Sequence, residues 1–323
     1  MRRVSGVILV GLGAFFIALA LMLRFYVAGQ LIKYPLDEYQ VSTLQGSNVT
    51  YFSASKLKDL TVNVTITDTI RGDVAAGNSQ RAVWNEFTDT RDTSNGVEIQ
   101  PSTRRVAFDR SSGQIVNCCG NQVNGDSSVN QTGLAFFWPF NAQKKTYTVF
   151  DTTADKPLPA SFAGTDTVDG LSVYKYVENV SGEPAGSQTL PGNLVGMKGQ
   201  PSVTLPEYYQ GTNTYWVEPS TGSPVKIQQS RQLTLRDSSG NTRLMLFSGN
   251  LNMTPSTVAD VASKTKKSKA QLSVINTTAP LAGLLVGLVL IVIGLVLAAT
   301  GRERPFDEGY FEDTLAPEPA PYR

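Results

Sequence analysis

Histidine is absent from all 323 residues. That absence removes Ser-His-Asp and Cys-His catalysis, histidine metal sites and imidazole acid–base chemistry together, so the chain reads as a non-enzyme. Cysteine is almost absent: Cys118 and Cys119 stand side by side in Val116-Asn117-Cys118-Cys119-Gly120. Two adjacent thiols lack the two further ligands that a tetrahedral zinc site needs. In an oxidising compartment they are expected to form a vicinal disulfide that stiffens the turn before Gly120. The alternative, a redox centre, usually spaces its cysteines by two residues. Charge of one sign is also missing. With 28 basic and 27 acidic residues the net charge is +1, which leaves no electrostatic footprint for nucleic acid. The acids are scattered, with no pair that announces a glycosidase, and nothing in the chain asks for a cofactor.

What the sequence does have is two long uncharged runs. Val4 to Leu23 is bounded by Arg2, Arg3 and Arg24, and Leu281 to Ala299 by Pro280 and then Arg302 and Arg304. About 20 apolar residues of helix cross a hydrocarbon core roughly 30 Å thick, and backbone amides in lipid must pair within the segment. Residues 4–24 and 280–300 are therefore expected to be membrane-spanning helices. The first run exceeds the roughly 7–15-residue core of a signal peptide and no clear cleavage site follows it, so it reads as an uncleaved anchor. Gly283-x-x-x-Gly287 permits close helix contact, although such spacing also arises by chance. The flanking arginines put residues 1–3 and the tail 301–323 in the cytoplasm; the tail is acidic, proline-bearing and expected to be disordered. The middle is then extracytoplasmic. Arg24, Lys33 and the lysines at 264, 266, 267 and 269 oppose that assignment, but long loops translocate largely regardless of charge.

Residues 30–254 are rich in Thr, Ser, Val and Asn. Leu60 to Ile70 alternates as a half-buried strand does. Residues 81–90, 104–109, 145–151, 171–180, 214–218, 225–235 and 242–249 also read as strands, separated by turn signals such as Ser111-Ser112-Gly113. The expectation is a mainly β domain laid out as an antiparallel meander. Asp109-Arg110-Ser111-Ser112-Gly113 is echoed by Glu218-Pro219-Ser220-Thr221-Gly222, either as one hairpin type used twice or as a duplicated half-sheet. Residues 255–276 read as a juxtamembrane amphipathic helix with Ser256 at its N-cap, its lysines facing anionic headgroups, or as a solvated linker.

Leu134-Ala135-Phe136-Phe137-Trp138-Pro139-Phe140 is the most apolar stretch outside the spans. Such runs usually fill a core. The functional alternative is a cavity wall, which makes Phe136, Phe137, Trp138 and Phe140, together with Trp216, the candidate lipid-binding residues. Arg105-Val106-Ala107-Phe108-Asp109-Arg110, Asn117-Cys118-Cys119-Gly120 and Lys144-Lys145-Thr146-Tyr147 resemble the actinobacterial PorA-family proteins, and the likeness covers nearly the whole chain. Separately, Tyr215-Trp216-Val217-Glu218-Pro219-Ser220-Thr221-Gly222 is similar to a hairpin of LolA- and LprG-like lipid carriers, which fold as a curved antiparallel sheet around an apolar cavity. These resemblances imply a half-barrel sheet, duplicated or not, flanked by two transmembrane helices. They also imply binding or trafficking of envelope lipid of the mycolate or trehalose-lipid class, with a lipid-exporting membrane transporter as partner. A scaffold subunit that binds no lipid is the alternative. The pore implied by the family's name needs a closed barrel with an apolar outer band, and half-polar strands fit that poorly.

Overall fold

The computed structural model describes residues 2–300; Met1 and residues 301–323, and with them the expectation for the tail, lie outside the described residues. In chain order come α1 (Arg2–Met22), α2 (Ala28–Leu31), twelve strands, α3 (Pro255–Ser273) and α4 (Ala279–Thr300). The first six strands are β1 (Tyr39–Ser53), β2 (Lys58–Gly72), β3 (Arg81–Asp92), β4 (Glu98–Asp109), β5 (Ile115–Val116) and β6 (Gln122–Val123). The second six are β7 (Tyr147–Asp151), β8 (Lys156–Val168), β9 (Leu171–Leu190), β10 (Val203–Glu218), β11 (Ser223–Arg236) and β12 (Thr242–Met253). The described residues fall into two units, 2–29 with 274–300, and 30–273.

In the first unit, α1 and α4 belong to helices long and apolar enough to cross a membrane. They pack antiparallel along a stripe of small residues repeating every two turns: Gly6, Gly13 and Ala20 on α1, Gly287 and Gly294 on α4. A Cβ at Gly13 would stand 2.5 Å from the Gly287 carbonyl oxygen, and one at Gly294 2.6 Å from that of Gly6. Small residues let helix backbones approach this closely, where van der Waals packing rather than water exclusion drives association. Gly11, by contrast, faces open space. A Cβ at Gly283 would lie 3.1 Å from that of Ala20, so Ala20→Cys with Gly283→Cys, in a background with Cys118 and Cys119 replaced by serine, should crosslink on oxidation in native membranes. Adding Gly13→Leu should abolish the crosslink; its persistence would refute the packing.

In the second unit the strands form one antiparallel sheet in the order β5-β4-β3-β2-β1-β12-β11-β10-β9-β8-β7, with β6 paired to β4 off this path. Alternation builds β2: Leu60, Val62, Val64, Ile66 and Ile70 share one face, and β-branched side chains suit a pleated surface. Strand β1 bulges between Gly46 and Val49. Asn48 there takes a left-handed conformation, φ 55°, and Val49 is turned fully into the core.

The sheet curls into a half-barrel, as the lipid-carrier likeness implied, and a short crossing segment joins its two edges. On one side Ile115 N donates to Gly133 O at 2.8 Å and Ala135 N to Gly113 O at 3.0 Å. On the other, Leu134 N donates to Thr148 O at 2.8 Å and Phe150 N to Leu134 O at 3.1 Å. Covered edges limit strand addition by other chains.

The two echoed stretches are hairpins of one construction. Asp109 Oδ1 accepts from Ser111 N and Ser112 N at 3.0 and 2.8 Å, and Glu218 Oε2 accepts from Thr221 N at 2.9 Å. Gly113 and Gly222 hold φ at 73° and 72°, where a side chain is strained. Both turns press on the crossing segment. A Cβ at Gly113 would lie 2.5 Å from the Phe137 carbonyl oxygen, and one at Gly222 would overlap that of Trp138. The buried Tyr34 hydroxyl donates to the Trp138 carbonyl at 2.5 Å, with the Thr221 carbonyl at 3.0 Å. Tyr34→Phe should therefore cost about 1–2 kcal/mol, read from the denaturation midpoint; an unchanged midpoint would mean that water replaces the hydroxyl.

Helix α3 packs on the face of β10 and β11 that carries Trp216 and Val225. Its Val261 and Ala262 meet Val168, Leu171, Val173, Trp216 and Val225. Lys269 Nζ pairs with Glu218 Oε1 at 2.9 Å and Lys266 Nζ with Asp169 Oδ2 at 3.1 Å. Two of the four lysines of this segment thus hold the helix to the sheet.

Candidate ligand site inside the curled sheet

Alternation decides what the inside contains. From β1, β2, β11 and β12 come Leu44, Val49, Val64, Ile66, Leu233, Phe247, Leu251 and Met253, packed with Leu158, Val180 and Tyr209 from β8–β10. Burying such side chains contributes about 1.5–3 kcal/mol each. Further round the sheet, Asp68, Glu86 and Arg104 occupy the same inward phase on β2, β3 and β4, Glu86 directly opposite Arg104. An apolar wall therefore continues into a charged band.

Arg104 is the centre of that band and only 5% exposed. Its Nε donates to Gln131 Oε1 at 2.9 Å and its Nη1 to the Ala135 carbonyl at 3.4 Å, with Glu86 Oε2 at 3.6 Å. The guanidinium carbon lies 5.2 Å from the Phe136 ring centre and 5.1 Å from that of Phe150, within cation–π range. Its Nη2 is buried and has no partner among the described residues. Burial lowers the pKa of this arginine, and Glu86 and Asp68 oppose the shift. Burial, reinforced by repulsion from Glu86, holds the Asp68 carboxyl well above the usual carboxylate range, against a hydrogen bond from Thr88.

A second polar group lies across the interior. Asn213 Nδ2 donates to Asp151 Oδ2 at 3.1 Å and to Glu178 Oε1 at 3.2 Å, and the Tyr215 hydroxyl donates to Glu178 Oε2 at 3.1 Å. Asp151 Oδ1 also accepts from the Thr153 and Ala154 amides at 2.7 and 2.8 Å. Glu178 is fully buried. Burial first, then Asp151, pushes its pKa up to about 8, so it carries a proton at neutral pH. The same burial, reinforced by Glu178, holds the Tyr215 phenol well above its ordinary value. The interior thus sets carboxyls and an amide against an arginine and offers both donors and acceptors. No group of three or more metal-ligating side chains occurs among the described residues.

The structure brings four of the five expected site aromatics to this interior. Phe136, Phe137 and Phe140 pack on Tyr34, Trp84 and Phe108, with Phe137 and Phe140 stacked on Tyr34 at 4.2 and 4.5 Å. Trp138 is buried against Tyr176, Tyr215 and Val217. The indole N–H groups of Trp84 and Trp138 have no acceptor among the described residues. Trp216 is not with them. It points to the opposite face of β10, under α3, where Nε1 donates to Asp166 Oδ2 at 2.9 Å and Lys226 Nζ lies 4.4 Å from the ring centre. Cys118 and Cys119 form a vicinal disulfide; Cys119 has φ 63°, and its carbonyl accepts from Arg105 Nε at 3.0 Å.

Asp68, Glu86, Arg104, Asp151, Glu178 and Asn213 escaped the sequence reading. One signal was available: in Leu60–Ile70 the acid at 68 falls in the phase of the inward apolar residues.

A family model described as Porin PorA matches residues 5–296. Two curated relatives named Porin PorA come from Corynebacterium amycolatum, 23% identical over 201 residues, and Corynebacterium resistens, 24% identical over 176 residues. The first alignment covers 54% of this chain and 49% of the relative, the second 39% and 43%. The chain thus spans about half the length of the curated relatives it matches.

Proposed function

The chain belongs to the PorA family, and from that premise we propose that it is a non-enzymatic, membrane-anchored envelope protein whose curled sheet binds or passes on lipid. In this reading both termini are cytoplasmic, the sheet lies outside the cytoplasmic membrane, and a lipid exporter is the partner. The observation that carries it is the composition of the interior. An acyl chain needs an apolar wall, which β1, β2, β11 and β12 supply through Leu44, Val64, Leu251 and Met253. A headgroup needs convergent polar partners at one end of such a wall, and Arg104, Asp151, Asn213 and Glu178 supply them. The lipid class follows from the family likeness: mycolate or trehalose lipid. The word porin in the relatives' names describes a pore. Against a pore here stand strands whose exposed positions are largely Thr, Asn, Gln and Ser rather than an apolar band.

Native mass spectrometry of the full chain in detergent tests the reading. A single lipid class bound in stoichiometric amount through detergent exchange is the expected result; a clean protein mass would leave the scaffold reading standing. The Asp151–Glu178 pair favours one further reading, hydrolysis by two neighbouring carboxyls of which Glu178 holds a proton at neutral pH. Turnover separates the two: a hydrolase releases product from an ester or glycoside substrate and loses that turnover in Glu178→Gln, whereas a carrier releases none.

A further inference from the structure

We infer that the outer face of β9–β11 carries a second binding site, separate from the interior, for a neutral saccharide chain. Strand β9 holds one residue too many at this place. Val180 pairs with Gly211 and Glu183 with Tyr209, so Ser181 and Gly182 stand opposite Gln210 alone. The bulge depends on Gly182, whose φ of 70° a side chain would strain. Bulges interrupt a ladder and re-aim side chains, and they are over-represented beside functional sites. Here the result is an open hollow of about 550 Å³ lined by the hydroxyls of Ser181, Thr212 and Ser230, the amides of Gln210 and Gln232, and the Arg236 guanidinium.

The lining selects the ligand. It holds no carboxylate and no lysine, and Val180, its one large apolar residue, is packed in the core inside the sheet, so an acyl chain finds no wall there. Amides and hydroxyls both donate and accept, which is what a ligand bearing neighbouring hydroxyls requires. The groups are already oriented. The Gln210 amide donates to Gln232 and accepts from Arg236 Nη2 at 3.2 Å; Arg236 Nε donates to Thr234 Oγ1 at 3.2 Å. The guanidinium carbon sits 4.9 Å from the Tyr208 ring centre. Arg236 Nη1 faces the gap left by Gly182, where a Cβ would stand 3.5 Å away. Strands about 4.8 Å apart set these groups at a pitch that successive hydroxyls of a sugar chain can meet directly or through water. A lone guanidinium is weak support for a charged polymer in salt, so the neutral chain is the better fit.

Affinity electrophoresis of the full-length protein in detergent through gels containing soluble arabinan, galactan or glucan tests this, with a uronate-bearing polymer as the charged arm. At least one neutral polymer should retard the protein. Gln210→Ala, and Ser230→Trp, which fills the hollow from an exposed position, should each weaken retardation by about tenfold, a difference of about 1.4 kcal/mol. Glu178→Gln, inside the sheet, should leave it unchanged. No retardation by any neutral polymer, equal retardation of wild type and both variants, or retardation by the uronate polymer alone would each overturn the assignment.

Discussion

Glu178→Gln is expected to stabilise the protein at about pH 8 and above by roughly 4 kcal/mol, and to change little at about pH 4. The native state keeps the Glu178 proton up to about pH 8, whereas the unfolded chain releases it near the ordinary carboxylate value. Between those values the native form binds more protons, so its stability falls as pH rises. Below both, each state is protonated and the cost vanishes. Glutamine imitates the protonated acid: its oxygen still accepts from Asn213 or Tyr215 and its N–H can donate to Asp151. Denaturant titrations of both proteins across pH 4–9, followed by fluorescence of the buried Trp84 and Trp138, would measure the gap. Parallel curves would show that Glu178 is ionised in the native state.

Arg104→Ala should cost about 3 kcal/mol, because it strips Glu86, whose side chain is 19% exposed, of its facing cation. Fully buried Gln131 would lose the donor to its Oε1 and keep only the bond from its Nε2 to the Arg105 carbonyl. Arg104→Met with Glu86→Leu removes both charges and should recover most of that loss, as buried ion pairs often exchange for apolar packing at little net cost. If the single variant loses less than about 1 kcal/mol, Arg104 is in effect solvated and the interior is wetter than its burial implies. If the double variant is as unstable as the single one, Arg104 matters through its stacking on Phe136 and Phe150.

The ends of the chain were legible because each span is one contiguous run, and β2 because its apolar residues alternate without interruption. Strands β1 and β8 were not. Gly46-Ser47-Asn48 interrupts the alternation of β1, where the strand bulges. Pro157 and Pro159 argue against a strand, yet β8 pairs with β9 only from Ala160 onward, so the prolines need hydrogen bonds on one side alone. In β9 Pro184 sits at a bulge opposite Tyr208. The aromatic stretch stands out in the sequence, but its residues cannot be assigned to faces there: Trp138 and Trp216 are both buried, Trp138 inside the curl and Trp216 under α3. The charged band was hidden more thoroughly. Its members come from separate strands, β2, β3, β4, β7, β9 and β10, and each acid taken alone looks like an ordinary surface residue. Only the curl of the sheet brings them together.

The seam at the middle of the sheet has a consequence for how this molecule is made. Strands β1 and β12 are neighbours there, although almost the whole domain separates them in sequence. During synthesis β1 has β2 on one flank and nothing on the other until the last strand has emerged. Closing that join requires a loop as long as the domain, so folding is expected to be slow and late, with an unsatisfied strand flank open to wrong partners in the interval. A nascent chain of this design needs protection until its final hairpin arrives, and truncation after β11 would leave two half-sheets with no common centre.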